Sequence, residues 1–410
     1  MAPSQGWVFD YGRRVTNEYF FDTWVVQLEN GQYRLYGNSS DQILYGTNAF
    51  DSYLSSNGVD FVKEPGYRFQ EDGCFMPCVI LLSNGNYRCY YVDQSVTPNP
   101  GSDNGGRAIR SALSTNGGLN FVGEGDRLVC NTNLPFEYRG IRGARVLDIG
   151  YGTYRMYYHG IDSNDVRRVL SASSDDGTNW TRDPGVRLAP ADYCPPCTTV
   201  RNFAPIIPFA GDDIHLYVTM SRCGEEWADS HGGIFDSWSV DGLNFTVADQ
   251  PILESYYIED TYTGSPTNPQ AMPQDPTAIM TANGMRLYFG VYDGPAVLPG
   301  TSGIYSVSLP DWDGDGATDE HEYCAGTDPT NPASYFYIAV VSNVPPWTLY
   351  FESFTNRQYS LEWSTNLINA QWSVVASQSN ILSFGGPFSL NDTNAGEVGF
   401  YRIRVRIPPE

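Results

Sequence analysis

One short pattern recurs along the first three quarters of the chain. It reads Gly31-Gln-Tyr-Arg-Leu-Tyr36, Gly85-Asn-Tyr-Arg-Cys-Tyr90 and Gly152-Thr-Tyr-Arg-Met-Tyr157, with weaker copies at Asp213-Ile-His-Leu-Tyr217 and Gly284-Met-Arg-Leu-Tyr288. The closing tyrosines are 54 to 71 residues apart. Each copy alternates as a half-buried strand does. A second element follows the first four copies: Ser55-Ser-Asn-Gly-Val-Asp-Phe61, Ser114-Thr-Asn-Gly-Gly-Leu-Asn-Phe121, Ser173-Ser-Asp-Asp-Gly-Thr-Asn-Trp180 and Ser239-Val-Asp-Gly-Leu-Asn-Phe245. Asn/Asp-Gly supplies the positive-φ turn of a hairpin, and the closing aromatic anchors the next strand. A repeat of this kind cannot bury its apolar face alone; neighbours must cover it.

An outer strand follows each turn, as in Phe61–Phe69 and Trp180–Leu188. The fifth copy lacks one, because Gly303–Pro310 runs straight into Asp311-Trp-Asp-Gly-Asp-Gly. The N-terminal segment Trp7–Val15 matches residues 180–188 at the Trp, Asp, Gly, second Arg and final apolar positions. It is therefore expected to supply the missing strand. A ring closed this way exposes few sheet edges. The fold class expected is all-β: a five-bladed β-propeller over residues 1–309, a calcium-binding linker over 310–334 and a small β-sandwich over 335–410.

Composition narrows the function. Acidic residues outnumber basic ones 47 to 24, the net charge is −23, and Lys63 is the sole lysine. No basic stripe exists, which argues against nucleic acid and anionic membrane surfaces. No apolar run is long enough to span a membrane. Eight cysteines in such a chain (Cys74, Cys78, Cys89, Cys130, Cys194, Cys197, Cys223, Cys324) read as an oxidising setting, secreted, periplasmic or at a bacterial cell surface. The start, MAPSQGW, has no apolar leader and reads as a mature form behind an added Met. Cys194-Pro-Pro-Cys197 is expected to form a loop disulfide rather than a zinc half-site. The chain is read as a monomer.

Residues 311–322 place Asp311, Asp313 and Asp315 at loop positions 1, 3 and 5, Gly316 at 6, Asp319 at 9 and Glu322 at 12, with the Ala317 carbonyl at 7. Ca²⁺ takes six to eight hard oxygens, and this spacing wraps a short chain around one ion. The continuation Gly326-Thr-Asp-Pro-Thr-Asn-Pro332 resembles a thrombospondin type 3 or dockerin-like calcium repeat, which implies a stiffened structural linker. Beyond it, strands are expected at Tyr335–Val341, Trp347–Glu352, Tyr359–Ser364, Trp372–Val375 and Phe400–Val405, with Trp347, Trp363 and Trp372 in the core.

The Tyr-Arg-x-Tyr strands with their Asn/Asp-Gly turns resemble the arabinanase/levansucrase/invertase superfamily of five-bladed glycoside hydrolases. The turn at Ser173–Trp180 also resembles the Asp-box of sialidases, a structural feature. The first resemblance implies catalytic carboxylates where innermost strands begin. Fourteen residues before the closing tyrosines stand Asp22, Met76, Gly143 and Phe203, and the fifth equivalent is Asp275. Asp22 falls where the superfamily places its base or nucleophile; an Asp capping a turn competes with that reading, for Asp275 as well. The middle positions lack carboxylates, so Glu71, Asp72, Glu137, Glu259 and Asp260 are substitutes. Glycoside hydrolysis needs two carboxyl groups, one protonated. Asp22 with Glu137 is the first pair expected, Asp22 with Asp275 the second.

Arg142 and Arg201, with Arg145 nearby, suit an anionic sugar; pairing with neighbouring carboxylates competes. His159 is a further hub candidate, and Trp24, Tyr138 and Tyr262 could stack on a sugar or pack in the core. The expected function is a glycoside hydrolase on a poly- or oligosaccharide, with carbohydrate as the partner and calcium as a structural ion. The alternatives are a non-catalytic glycan-binding propeller and a polysaccharide lyase using His159 and Arg142.

Overall fold

The structure is a computed structural model. It describes residues 7–10, 12–16, 20–38, 48–101, 105–150, 152–193, 199–207, 213–221, 232–254, 273–281, 284–291, 303–311, 313, 315, 317–365, 372–393 and 399–408. Cys194, Cys197, Cys223, Glu259, Asp260, Tyr262 and Gly316 lie outside them.

The chain divides into two units: Met1–Ile206 with Ile214–Ile279 and Arg286–Ser308, and Ile207–Asp213 with Met280–Met285 and Leu309–Glu410. Strands dominate. Sheet 1 orders Phe21–Gln27, Tyr33–Asn38, Ala49–Ser55 and Val62–Lys63, with Phe69–Gln70 also on the third strand. Sheet 2 holds Cys74–Leu81, Tyr87–Asp93, Ala108–Ser114 and Val122–Val129; sheet 3 holds Gly140–Asp148, Tyr154–Ile161, Arg167–Ser174 and Thr181–Arg182. Sheet 4 holds Thr199–Ile206, Ile214–Ser221, Gly232–Ser239 and Thr246–Val247, with Leu253–Glu254 added to its third strand. Sheet 5 orders Gln274–Thr281, Gly284–Val291, Gly303–Pro310 and Val8–Phe9. The last pairing is antiparallel, Val8 opposite Ser308 and Phe9 opposite Val307.

The repeated residues join one sheet to the next. Arg34 and Tyr36 are two apart, so they share a strand face. Arg34 donates to the Gly117 carbonyl and the Tyr36 hydroxyl to the Gly118 carbonyl, both in the turn of sheet 2. Tyr90 reaches Gly177 of sheet 3 in the same way, Tyr157 reaches Gly242 of sheet 4, and Tyr288 reaches Gly58 of sheet 1. The turn glycines sit at φ 68° to 76°, which lets their backbone approach the hydroxyl. Each closing tyrosine also meets the anchoring aromatic of the next sheet edge-on. The pairs are Tyr36–Phe121, Tyr90–Trp180, Tyr157–Phe245, Tyr217–Trp7 and Tyr288–Phe61, with centroids 5.6 to 6.0 Å apart. Such pairs add roughly 0.5–1.5 kcal/mol beyond burial.

Each repeat arginine is held by an outer-strand carboxylate that also takes a serine hydroxyl. Glu64 accepts from Arg34 and Ser52, Glu124 from Arg88 and Ser111, and Asp10 from Arg286 and Ser306. Asp183 accepts from Ser171 and pairs with Arg155 at 3.8 Å. Sheet 4 departs from this pattern: His215 replaces the arginine and meets Asp236.

The second unit carries strands Val340–Val341, Trp347–Ser364, Ser373–Val374, Ile381–Asp392 and Phe400–Arg406 in one sheet, over a core of Leu349, Phe351, Tyr359, Leu361, Val375 and Leu390. Two expected strands, Trp347–Glu352 and Tyr359–Ser364, are a single 18-residue strand. Its polar middle looked like a turn; instead Asn356 adopts φ 56° at a register shift, and pairing with Ile381–Asp392 continues past it. Of Tyr335–Val341 only Val340–Val341 is strand. Trp347 and Trp363 are half-buried rather than central, and Trp372 lies under the Arg402 guanidinium at 4.6 Å. A helix not expected from the sequence, Asp319–Ala325, follows the acidic loop. Of the described cysteines, Cys74, Cys78, Cys89 and Cys130 are free thiols, and the Cys324 thiol lies 3.6 Å from the Val405 carbonyl. Among the described residues no helix is long and apolar enough to cross a membrane.

Candidate active site

The first strands of sheets 1, 2, 3 and 5 open with left-handed backbone. Asp22, Met76, Gly143 and Asp275 have φ of 52°, 59°, 54° and 49°. In sheets 1 to 3 the ladder register shifts at these residues. Left-handed backbone costs a non-glycine residue of the order of 1–3 kcal/mol, and it re-aims the side chain. Gly143 has a further reason: a Cβ there would lie 3.1 Å from His159 Nδ1 and 3.4 Å from Met76 Sδ.

Sheet 4 corrects the count of fourteen. Tyr36 pairs with Trp24, Tyr90 with Cys78, Tyr157 with Arg145, and Tyr217 with Ala204. The residue two before each is Asp22, Met76, Gly143 and then Asn202, not Phe203. The hairpin of sheet 4 is one residue longer, which moves the equivalent position by one.

Asp22 and Asp275 come together. Both are buried, at 6% and 3% exposure. The Asp22 backbone N–H donates to Asp275 Oδ2 at 3.1 Å. Asn38 Nδ2 donates to Asp22 Oδ2 at 3.0 Å, and Asn38 Oδ1 accepts from the Met76 N–H at 3.3 Å. Asn202 Nδ2 donates to Asp275 Oδ1. One hydrogen-bonded chain thus links sheets 2, 1, 5 and 4. Burial pushes the Asp22 carboxyl up to about 8; the charge of Asp275 adds to the rise, Arg142 and Arg145 oppose it, and a carboxyl–carboxyl hydrogen bond reinforces it. A carboxyl raised this far keeps its proton at neutral pH.

The other expected residues divide. His159 is buried opposite Arg142 in the ladder, its ring edge-on to Phe203 at 4.8 Å. Arg145 is buried, donates to the Pro77 carbonyl and lies over the Trp24 ring at 5.2 Å. Trp24 is itself buried and donates to the Val79 carbonyl, so it supports Arg145 rather than offering a sugar platform. Arg201, half-buried, directly precedes Asn202. Tyr138 is 42% exposed, and its carbonyl accepts from the Asn99 side-chain amide at 2.7 Å.

Glu137 belongs to a different cluster. It is wholly buried and takes Arg182 Nε and Nη2 at 2.8 Å each, the Tyr158 hydroxyl at 2.8 Å and the Asn131 N–H at 2.9 Å. Every lone pair is spoken for, so the carboxylate anchors sheet 3. Glu71 is held by Arg110 and the Tyr91 hydroxyl. The fold therefore assembles Asp22 with Asp275, not Asp22 with Glu137.

Sequence reasoning missed Asn38 and Asn202. A signal for Asn38 was present: it stands two residues after Tyr36, as His159 stands after Tyr157, and both face the strand openings. Asn38→Leu is expected to cost about 1–3 kcal/mol of unfolding free energy, because it strips a donor from a buried carboxyl and an acceptor from a buried N–H. Chemical denaturation measures this. Unchanged stability would mean that the amide does not support this carboxyl network.

Fold and site together define an all-β protein of antiparallel sheets in which two buried carboxyls, Asp22 and Asp275, meet where first strands open. No family model matches the sequence, and no curated protein matches it. Among solved structures the chain is similar to an α-L-arabinofuranosidase from Lactobacillus brevis, with a TM-score of 0.54 and 10% identity over 74% of this chain and 94% of that one. It is similar to an endo-arabinase from Bacteroides thetaiotaomicron VPI-5482, with a TM-score of 0.52 and 11% identity over 73% and 97%. A thermostable family-43 glycoside hydrolase gives a TM-score of 0.50 and 15% identity over 71% and 88%. At such identities the likeness is one of fold.

Proposed function

We propose that the five sheets are the blades of a five-bladed propeller and that the chain is a glycan-active hydrolase working at its hub. The observation that carries this reading is the Asp22–Asp275 dyad, raised on left-handed bulges in a fold shared with glycoside hydrolases. A carboxyl kept protonated near pH 7, as Asp22 is, is what protonation of a glycosidic oxygen requires. The two lie closer than the roughly 5–9.5 Å that separates carboxyls flanking a scissile bond. They therefore act as one group, the acid, and the resemblance-based role of Asp22 as a lone base does not suit this geometry. Glu259 and Asp260 remain the sequence candidates for the second group.

The charges of Arg142 and Arg145 act on Asp22, and Arg201 adjoins Asn202. That cationic side fits a glycan bearing carboxylate or sulfate. A second reading, binding without turnover, is favoured by Met76, Gly143 and Asn202 at the three middle positions. A panel of neutral, uronic and sulfated oligosaccharides separates them. New reducing ends support the hydrolase; binding alone supports the receptor; ultraviolet absorbance from a new double bond would replace both with a lyase.

A further inference from the structure

The second unit holds a polar cluster that the hub does not use. One carboxylate oxygen from each of Asp311, Asp313 and Asp315 lies within 4.8 Å of the others. Like charges at that range repel unless a cation sits among them. An independent observation points the same way. Glu322, on the helix Asp319–Ala325, is only 2% exposed. Its Oε1 accepts from the Thr327 hydroxyl at 3.3 Å, while Oε2 is buried with no hydrogen-bond partner, as is Asp313 Oδ2. A buried carboxylate oxygen left without a donor is costly, and a metal ion is the partner that would relieve it.

We propose that Asp311, Asp313, Asp315 and Glu322 bind one calcium ion, and that this ion stabilises the whole C-terminal sheet rather than only the loop that holds it. The loop supplies hard oxygens at the spacing calcium takes, with the Ala317 carbonyl and Asp319 available to complete a shell of six or more. Magnesium wants a tighter octahedron and keeps its waters, so it suits this set less. The extension to the sheet comes from how the helix is held. Arg357, in the long strand, donates to the Tyr323 and Cys324 carbonyls at 2.7 Å each. Gly326 closes the helix at φ 85°, where a Cβ would lie 2.4 Å from the Phe354 ring. Glu322 is therefore positioned by the sheet, and an ion on Glu322 is coupled to it. This extends the sequence expectation of a stiffened structural linker to the sheet.

The test uses the full chain, stripped with chelator and titrated separately with CaCl₂ and MgCl₂ by calorimetry. One Ca²⁺ per chain is expected, with Mg²⁺ at least about tenfold weaker. The unfolding midpoint of the C-terminal unit should rise with Ca²⁺ concentration, as linkage requires. Glu322→Gln and Asp313→Asn should abolish that rise and leave the chelated protein at least as stable as the chelated wild type, since each removes a repelling charge. Absence of Ca²⁺ binding by the wild type, or a rise that survives both substitutions, overturns the site. Equal affinity for Mg²⁺ overturns the assignment to calcium. A midpoint confined to local loop ordering, with the sheet unmoved, overturns the coupling. Hub activity toward glycans is a separate readout and bears only on the hydrolase reading.

Discussion

Asp22→Asn is expected to lower glycan turnover by about 10²–10⁴-fold, the range that positioned acid–base groups supply. The asparagine can still donate to Asp275 and accept from Asn38, so the hub should stay folded. The pH dependence gives the sharper test. Asp22 has a folded pKa raised to about 8, above the 3.8 of an exposed aspartate. Between those values the folded state holds a proton that the unfolded chain does not. The stabilisation tied to this proton is full below about pH 4 and is lost as pH rises through about 8. Wild-type stability should therefore carry a falling component across that window, and turnover should fall on the alkaline side as the dyad ionises. Asp22→Asn should flatten the first and remove the second. Denaturant unfolding and initial rates on one buffer series report both. Turnover within a few-fold of wild type would show that the dyad is not the acid.

The second large effect is expected at the chain's beginning. Asp10 accepts from Arg286 Nε at 2.8 Å, Ser306 at 2.6 Å and Ser308 at 3.1 Å, and it stands in for the outer-strand carboxylates of the other sheets. Asp10→Ala leaves a mostly buried guanidinium without its counter-charge, which costs about 3–5 kcal/mol. The first unit's calorimetric midpoint should fall by roughly 10 °C. Removing residues 1–12 also strips Trp7 from Tyr217 and bares the edge of Gly303–Pro310, so concentration-dependent aggregation is expected. A midpoint that moves by no more than about one degree would mean that the N-terminal strand is an ornament on a sheet complete without it.

These two effects illustrate what was legible beforehand. The tyrosine of each repeat could be read as a strand residue, because alternation is local. Its hydroxyl partner, the carbonyl of a glycine more than 80 residues ahead in the first three copies, could not. Asp22 and Asp275 could each be proposed from register with the closing tyrosine. Nothing in the spacing distinguished Asp275 from Glu137 as the partner. Glu137 looked equally eligible until Arg182 and Tyr158 were seen to enclose it. The error at Phe203 has the same origin: a hairpin longer by one residue shifts every face by one position, and a count along the chain does not register it. In the second unit, a polar stretch that reads as a turn is bridged by pairing with a strand whose Gly385-Gly386-Pro387 hides its own alternation.

The sequence by itself determined the elements: five strand repeats, four of them followed by a hairpin turn, a detached outer strand at the N-terminus and an acidic loop of metal-ligand spacing. Each of these depends on residues close in the chain, whose periodicity and turn chemistry act locally. Only the tertiary structure decided which carboxyls meet. Proximity across 253 residues depends on how the sheets are stacked around their common contacts, and the burial that raises Asp22 exists only once those sheets have excluded water.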